Sequence, residues 1–186
     1  MTCRPLLLGC LALTLVSVAS CNTPAPKQTD EAKPATMTPL QRGEYIATVG
    51  GCNDCHTPGT LYGAPDFKRQ LAGSELGWRG PWGVSYPSNL TPDLETGLGA
   101  WTNVEIERAL RSGVKKDGSP ILPPMPWPNT ARLTPDDMSS LIAYLKSLPP
   151  VVHKVPANLP PNGMAHGSVI ELPAPGAWDA PRTQPQ

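Results

Sequence analysis

The stretch Cys52-Asn53-Asp54-Cys55-His56 constrains this chain more than any other feature. Two cysteines three positions apart, followed at once by a histidine, form the C-x-x-C-H pattern through which a haem is attached covalently. The spacing has a physical reason. Residues three apart on a helix lie on one face, so both sulfurs can reach the same porphyrin edge. The next residue, His56, then projects beneath the ring, where it meets the metal. A fold built on this motif closes around a large, flat, apolar group, and that group carries the chemistry. Two rival readings of C-x-x-C are weaker. A zinc site needs two more ligands at suitable spacing, and there is no second Cys pair or Cys/His cluster. A thiol redox pair of the thioredoxin kind sits near a β-α-β pattern, and none is visible. Neither rival requires the trailing histidine.

The first residues read as a targeting segment. Arg4 is the only charge before Lys27, and Leu6 to Val18 is a short apolar run of signal-peptide length. It ends in Val18-Ala19-Ser20-Cys21, which resembles the lipobox of bacterial lipoproteins. In such proteins the peptide is cut before the cysteine and the thiol is lipidated. The alternative is an ordinary cleavage near Ala19-Ser20 that leaves Cys21 free. The lipoprotein reading predicts residues 1–20 as signal peptide and Cys21 as the lipidation site, with the protein facing the periplasm from a membrane. Asn22, rather than an aspartate, favours the outer membrane over the inner. Cysteine accounting then closes. Cys3 and Cys10 leave with the signal segment, Cys21 takes lipid, and Cys52 and Cys55 take haem. No thiol remains for a disulfide. Export and haem attachment support each other, because c-type haem is attached outside the cytoplasm.

The chain has the length of one domain. Fifteen basic and fifteen acidic residues give no strong basic field, so nucleic acid is not an indicated partner. Twenty-five prolines and seventeen glycines imply long irregular segments. Residues 21–37 read as a flexible tether rich in Pro, Thr, Ala and Lys. Thr38-Pro39 then supplies an N-cap and first helical residue, and a helix through Ile46 and Val49 stops at Gly50-Gly51. Thr57 to Tyr86 reads as a long loop wrapped around one haem edge. Thr102 to Arg111 is a short helix with a Thr102/Glu105 capping box and a Gly113 stop. A proline-rich loop from Ser119 to Thr130 precedes the last helix, which starts at Thr134-Pro135 and ends at Pro149-Pro150. The tail 151–186 is again rich in Pro and Gly, and is expected to lie along the surface or to be partly disordered.

Of the methionines left after Met1, Met37 lies in the tether, Met138 on the apolar face of the last helix and Met164 in the tail. Met125 is held between Pro124 and Pro126, where rigid backbone suits a weak thioether ligand. A gap-filling role for Met125 is the plainer alternative. His153 and His166, past the last helix, are rival ligands that read better as surface residues. Trp78, Trp82, Trp101 and Trp127 fall in loop segments around the inferred haem, where an indole N–H can bond a propionate or the ring can simply pack. Trp101 is one candidate haem contact, and Arg79 is another, through an ion pair with a propionate. Arg108, Arg111, Lys115 and Lys116 form a basic cluster that is either a docking face or merely solvated.

An N-terminal helix, CNDCH, a Met-bearing loop and an amphipathic C-terminal helix resemble class I cytochrome c, an all-α fold with few helices and long loops around one covalent haem. The stretches SNLTPDLETGLGAWTNVEIERALRSGVKKDG, LPPMPW and LIAYLKSLPP resemble more narrowly the cytochrome c subunits of periplasmic alcohol, aldehyde and sugar dehydrogenases. The resemblance covers 38–150. It implies haem c on Cys52 and Cys55, and His56 and Met125 as axial ligands. The expected function is a membrane-tethered monohaem electron carrier, not an enzyme, between a dehydrogenase donor and an oxidase or cytochrome acceptor. The alternative is a haem enzyme or gas sensor with a displaceable Met125.

Overall fold

The computed structural model describes residues 36–174 and residue 176. The expected signal segment, Cys21 and the tether as far as residue 35 lie outside the described residues. Three helices carry the core. The first, α1 (Pro39–Val49), starts where its caps require. The Thr38 hydroxyl accepts from the Gln41 amide at 3.3 Å, and the Gln41 side chain accepts from the Thr38 amide at 2.9 Å. This reciprocal pair satisfies two donors that a helix start would otherwise leave unpaired. Gly50 ends α1, and Gly51, at φ +68°, redirects the chain into the one-turn α2 (Cys52–His56). A second capping box, Thr102 with Glu105, opens α3 (Asn103–Ser112), and Gly113 closes it in the left-handed region. One turn, α4 (Trp127–Thr130), precedes α5 (Pro135–Ser147), whose Thr134 hydroxyl accepts from the Asp137 amide.

Ile46 and Ala47 of α1, Ile106 of α3, and Met138, Leu141, Ile142 and Leu145 of α5 form one buried cluster with Leu71 and Leu98. Met138 is 1% exposed, so it belongs to this core. α1 lies close against α5 at Gly43. A Cβ there would lie 2.1 Å from the Ser140 carbonyl oxygen and 2.6 Å from Tyr144 Cβ. Beside it, Arg42 Nε pairs with Asp137 Oδ1 at 2.7 Å. Gly43→Ala should therefore push the two helices apart and lower unfolding stability by about 1–3 kcal/mol, the usual cost of overpacking. Chemical denaturation reads this directly, and an unchanged midpoint would mean that the crossing yields without strain.

The helical framework agrees with the all-α class I cytochrome c fold. The segment read as one long loop, Thr57 to Tyr86, is more ordered than expected. It holds two 3₁₀ turns (Thr60–Tyr62 and Phe67–Arg69) and a hairpin of β1 (Gly77–Gly80) and β2 (Gly83–Ser85). In the hairpin Trp78 faces Ser85 and Gly80 faces Gly83. The tail also has definite partners. Leu159 bridges to Val84, and β3 (Val169–Glu171) adds to β1 in parallel, giving the order β2-β1-β3. Among the described residues no helix is long and apolar enough to cross a membrane.

Candidate haem site

Glycines and buried bonds place the motif. The turn at Gly51 aims α2 so that Cys52 and Cys55 are half-buried while His56 is buried behind them. Neither cysteine is in a disulfide. Burial pushes the Cys52 thiol up to about 11 and raises Cys55 as well, so both remain thiols rather than thiolates. His56 is gripped at both ends. Its carbonyl accepts from the Gly73 amide at 2.8 Å, and its Nδ1 lies 2.7 Å from the Ser88 carbonyl oxygen. A carbonyl only accepts, so Nδ1 carries the proton and donates. Nε2 is left unprotonated and without a hydrogen-bond partner among the described residues. Burial lowers the imidazole pKa, against a smaller upward effect of the Ser88 bond, which keeps the ring in its metal-binding neutral form. The carbonyl behind Nδ1 also fixes the ring's orientation and raises its basicity as a ligand.

The next residue extends the grip. Thr57 is 2% exposed; its hydroxyl donates to Asn53 Oδ1 and accepts from the Leu71 amide, both at 2.9 Å. Leu71 itself sits at φ +56°, an uncommon position for a branched side chain. It is fully buried in the core, and its carbonyl accepts from the Leu90 amide at 2.8 Å. The chain thus passes over α2 twice, at 71–73 and at 88, and each pass bonds to the motif or its flank.

Met125 is half-buried in a loop anchored at several points. The Ser85 hydroxyl donates to the Pro123 carbonyl, and the Ile121 amide donates to the Gly113 carbonyl at 2.7 Å. The Trp127 amide donates to the Met125 carbonyl at 2.9 Å. The Trp127 ring covers the end of α3, where a Cβ on Gly113 would fall 2.6 Å from the indole. Met37 and Met164 are exposed. His153 has both ring nitrogens engaged, Nδ1 with the Ala72 carbonyl and Nε2 with Glu75, each at 2.8 Å, and His166 is exposed.

The other sequence candidates fall as follows. The Trp101 ring packs against the helical core, and its carbonyl accepts from Lys146 Nζ at 2.6 Å. Arg79 is bonded to the tail, with Nε 3.1 Å from Glu171 and Nη1 3.1 Å from the Gly163 carbonyl. Much of the basic cluster is turned to structural use. Arg108 donates to the carbonyls of Lys115 and Lys116, Arg111 to those of Ala131 and Leu133, and Lys116 to that of Ala100. Three residues that sequence reading overlooked, Ser88, Gly73 and Thr57, hold the motif in place. Ser88 and Gly73 act through backbone atoms, which no side-chain signal could have revealed.

The residues present fit haem c. Two unpaired thiols lie on one turn, and the imidazole beside them has its tautomer fixed from behind and Nε2 open. One buried donor, the indole N–H of Trp82, has no partner among the described residues. Residues 40–149 match the cytochrome c family. The chain is 40% identical over 105 residues to the cytochrome c subunit of a quinone-type alcohol dehydrogenase of Gluconacetobacter polyoxogenes, covering 56% of this chain and 21% of that one. It is 37% identical over 105 residues to the gluconate 2-dehydrogenase cytochrome c subunit of Pantoea cypripedii, covering 56% and 22%. With a dihaem c-type cytochrome of Cereibacter sphaeroides it shares 31% over 152 residues, covering 79% and 49%. The chain thus spans about a fifth of the length of the dehydrogenase subunits it matches. The chain belongs to the cytochrome c family. It is an electron-transfer protein whose cofactor is covalently held haem c.

Proposed function

We propose that this chain is a membrane-tethered carrier of single electrons between a periplasmic dehydrogenase and a respiratory acceptor. The observation that carries the reading is His56, buried, neutral and fixed through Nδ1 so that Nε2 is reserved for a metal. Haem c supplies reversible one-electron iron chemistry when bound. The residues supply the rest. Cys52 and Cys55 would attach the ring, and His56 Nε2 and the Met125 thioether would ligate its iron. With two protein ligands on its iron, the group would exchange electrons rather than bind a substrate, and the protein would act as a carrier. A His/Met pair also favours a higher potential than a thiolate ligand.

The donor class follows from the relatives, two of which are named as cytochrome subunits of an alcohol and a gluconate dehydrogenase. The tether follows from sequence. Residues 1–20 act as signal peptide, Cys21 takes the lipid, residues 21–37 link it to the haem domain of 38–150, and 151–186 form a tail. Val18-Ala19-Ser20-Cys21 favours lipidation, and Asn22 favours the outer membrane. Two measurements on the full-length holoprotein test this reading. Oxidised protein mixed with a membrane alcohol or sugar dehydrogenase and its substrate should be reduced within the enzyme's turnover time, and an unchanged ferric spectrum would remove that donor class. Cys21→Ser should move the protein from the membrane to the soluble periplasmic fraction, and continued membrane association would rule out lipid as the tether.

A further inference from the structure

We propose that His153 is a positioning residue for the iron ligand His56, and that residues 151–155 clamp the two loops that grip that ligand. The proposal rests on His56 as the axial ligand. The grip has two sides, the Gly73 amide on the His56 carbonyl and the Ser88 carbonyl on Nδ1. Residues 71–74 and 87–89 belong to no helix or strand, so their position depends on what packs on them. They lie side by side, with the Ser74 amide donating to the Pro87 carbonyl at 3.1 Å.

The tail meets both loops. On the first, His153 Nδ1 lies 2.8 Å from the carbonyl oxygen of Ala72, the residue before Gly73. A carbonyl only accepts, so Nδ1 donates. On the second, Asn89 Nδ2 donates to the Val151 carbonyl at 2.8 Å and more weakly to the His153 carbonyl at 3.5 Å. The His153 amide donates to the Thr96 hydroxyl at 3.0 Å. At the junction Gly73 has φ +88°, and a Cβ there would fall 2.5 Å from Val155 Cγ1, 2.7 Å from the Pro87 carbonyl oxygen and 2.9 Å from the Asn89 nitrogen. Both loops and the tail therefore converge on the residue that holds the His56 carbonyl.

The outer end of the His153 ring is locked as well. Nε2 lies 2.8 Å from Glu75 Oε1, and Arg69 Nη1 holds the same oxygen at 3.0 Å while Arg69 Nε pairs with Asp66. The side chain is 12% exposed, although it lies past the last helix in a tail rich in proline and glycine. With both ring nitrogens engaged, the ring cannot turn without breaking two bonds, and it fixes where the Ala72 carbonyl points.

The family match ends at residue 149, just before this clamp. What the clamp governs is the bond from His56 Nδ1 to Ser88. A carbonyl accepting that proton makes the imidazole a stronger donor to the iron, which favours the ferric state. Release of Ala72 would free Gly73 and Ser74, and the bond from Ser74 to Pro87 hands that movement to Ser88. His153 thus acts on the iron through two stretches of backbone.

The test uses full-length holoprotein matured with covalent haem. His153→Phe keeps a ring and removes the donor to Ala72, while His153→Asn keeps a donor close to the Nδ1 position. In ferrous His153→Phe the His56 Nδ1–H resonance should move upfield as its bond lengthens. The reduction potential should rise, so that the ferrous-to-ferric ratio at a fixed poise grows severalfold. His153→Asn should return both readings toward wild type. Unchanged readings in His153→Phe overturn the proposal, and so do equal changes in the two variants. Gly43→Ala strains the α1–α5 crossing without touching either loop, so it should leave both readings at their wild-type values, and a matching shift there overturns the proposal. Haem staining and the ring-current shifts of the His56 ring protons report attachment and ligation. If either is missing in wild type, the ligand reading itself falls and this one with it. If His153→Phe does not mature, the wild type decides: His153 Nδ1 should couple through its hydrogen bond to the Ala72 carbonyl carbon, and no coupling overturns the proposal.

Discussion

Met125→Ala lowers the reduction potential by on the order of hundreds of millivolts, since axial ligands tune haem potentials across a range of that scale. The ferric protein should also lose the weak long-wavelength absorption band that marks sulfur bonded to iron. The loop around Met125 makes this a clean substitution. Its backbone is held by Ser85 at Pro123, by the Gly113 carbonyl at Ile121 and by Trp127 over the end of α3. None of these contacts uses the Met125 side chain, so the loop stays in place when the thioether is removed. The other methionines do not replace it, because Met138 is locked in the core and Met37 and Met164 are exposed. A variant with wild-type spectrum and potential would refute Met125 as the ligand. Carbon monoxide provides the complementary measurement. The wild-type ferrous form should bind it poorly and Met125→Ala readily. Rapid binding by wild type would instead favour the sensor or enzyme reading with a displaceable methionine.

Asn89→Ala costs about 3 kcal/mol or more of stability, the second large effect. Asn89 is 1% exposed and bonds on every side. Its Oδ1 accepts from the Thr91 amide at 2.9 Å and the Thr91 hydroxyl at 2.7 Å. Its Nδ2 donates to the Thr96 hydroxyl at 3.0 Å and the Val151 carbonyl at 2.8 Å. Alanine leaves the Thr91 amide unpaired and the Val151 carbonyl with only the longer 3.4 Å bond from the Thr91 hydroxyl, at about 1–3 kcal/mol per group. The effect should reach the haem as well. Ser88, which fixes His56, is the preceding residue, so a looser Asn89 loosens the Nδ1 bond and shifts the potential. Denaturant unfolding of the holoprotein together with a potential measurement checks both. A loss below about 0.5 kcal/mol would show that water takes over these bonds.

Asn89 also shows where sequence reading stops. The stretch Asn89-Leu90-Thr91-Pro92-Asp93 reads as a turn, and locally it is one. Thr96 donates to Asp93 through both its amide and its hydroxyl, at 2.7 and 2.6 Å. These bonds hold the Asp93 carboxyl below its usual range, against a smaller upward effect of burial. The tie from this turn to Val151, sixty-odd residues away, has no local signature. The same division runs through the fold. The limits of α1, α3 and α5 are written in short-range chemistry, in Thr38 with Gln41, Thr102 with Glu105 and Thr134 with Asp137, and each helix begins where its cap sits. The hairpin was hidden because strands of four and three residues are too short to show alternation, and its turn, Pro81-Trp82, lacks the usual Asn-Gly signature. Strand β3 was hidden because a parallel partner some ninety residues distant leaves no periodic trace beyond three residues.

By itself the sequence determined the cofactor chemistry, the helix limits and the short list of axial-ligand candidates. Each depends on atoms a few bonds apart along the chain, and such spacing survives whatever the rest of the molecule does. Tertiary structure alone decided what stands behind those residues. It set the Ser88 carbonyl on His56, the fit of Gly43 against α5, the assignment of Arg79 to the tail and the unpaired N–H of Trp82 at the hairpin tip. These depend on backbone atoms and on segments brought together only by folding, and a carbonyl looks the same in every residue of a sequence.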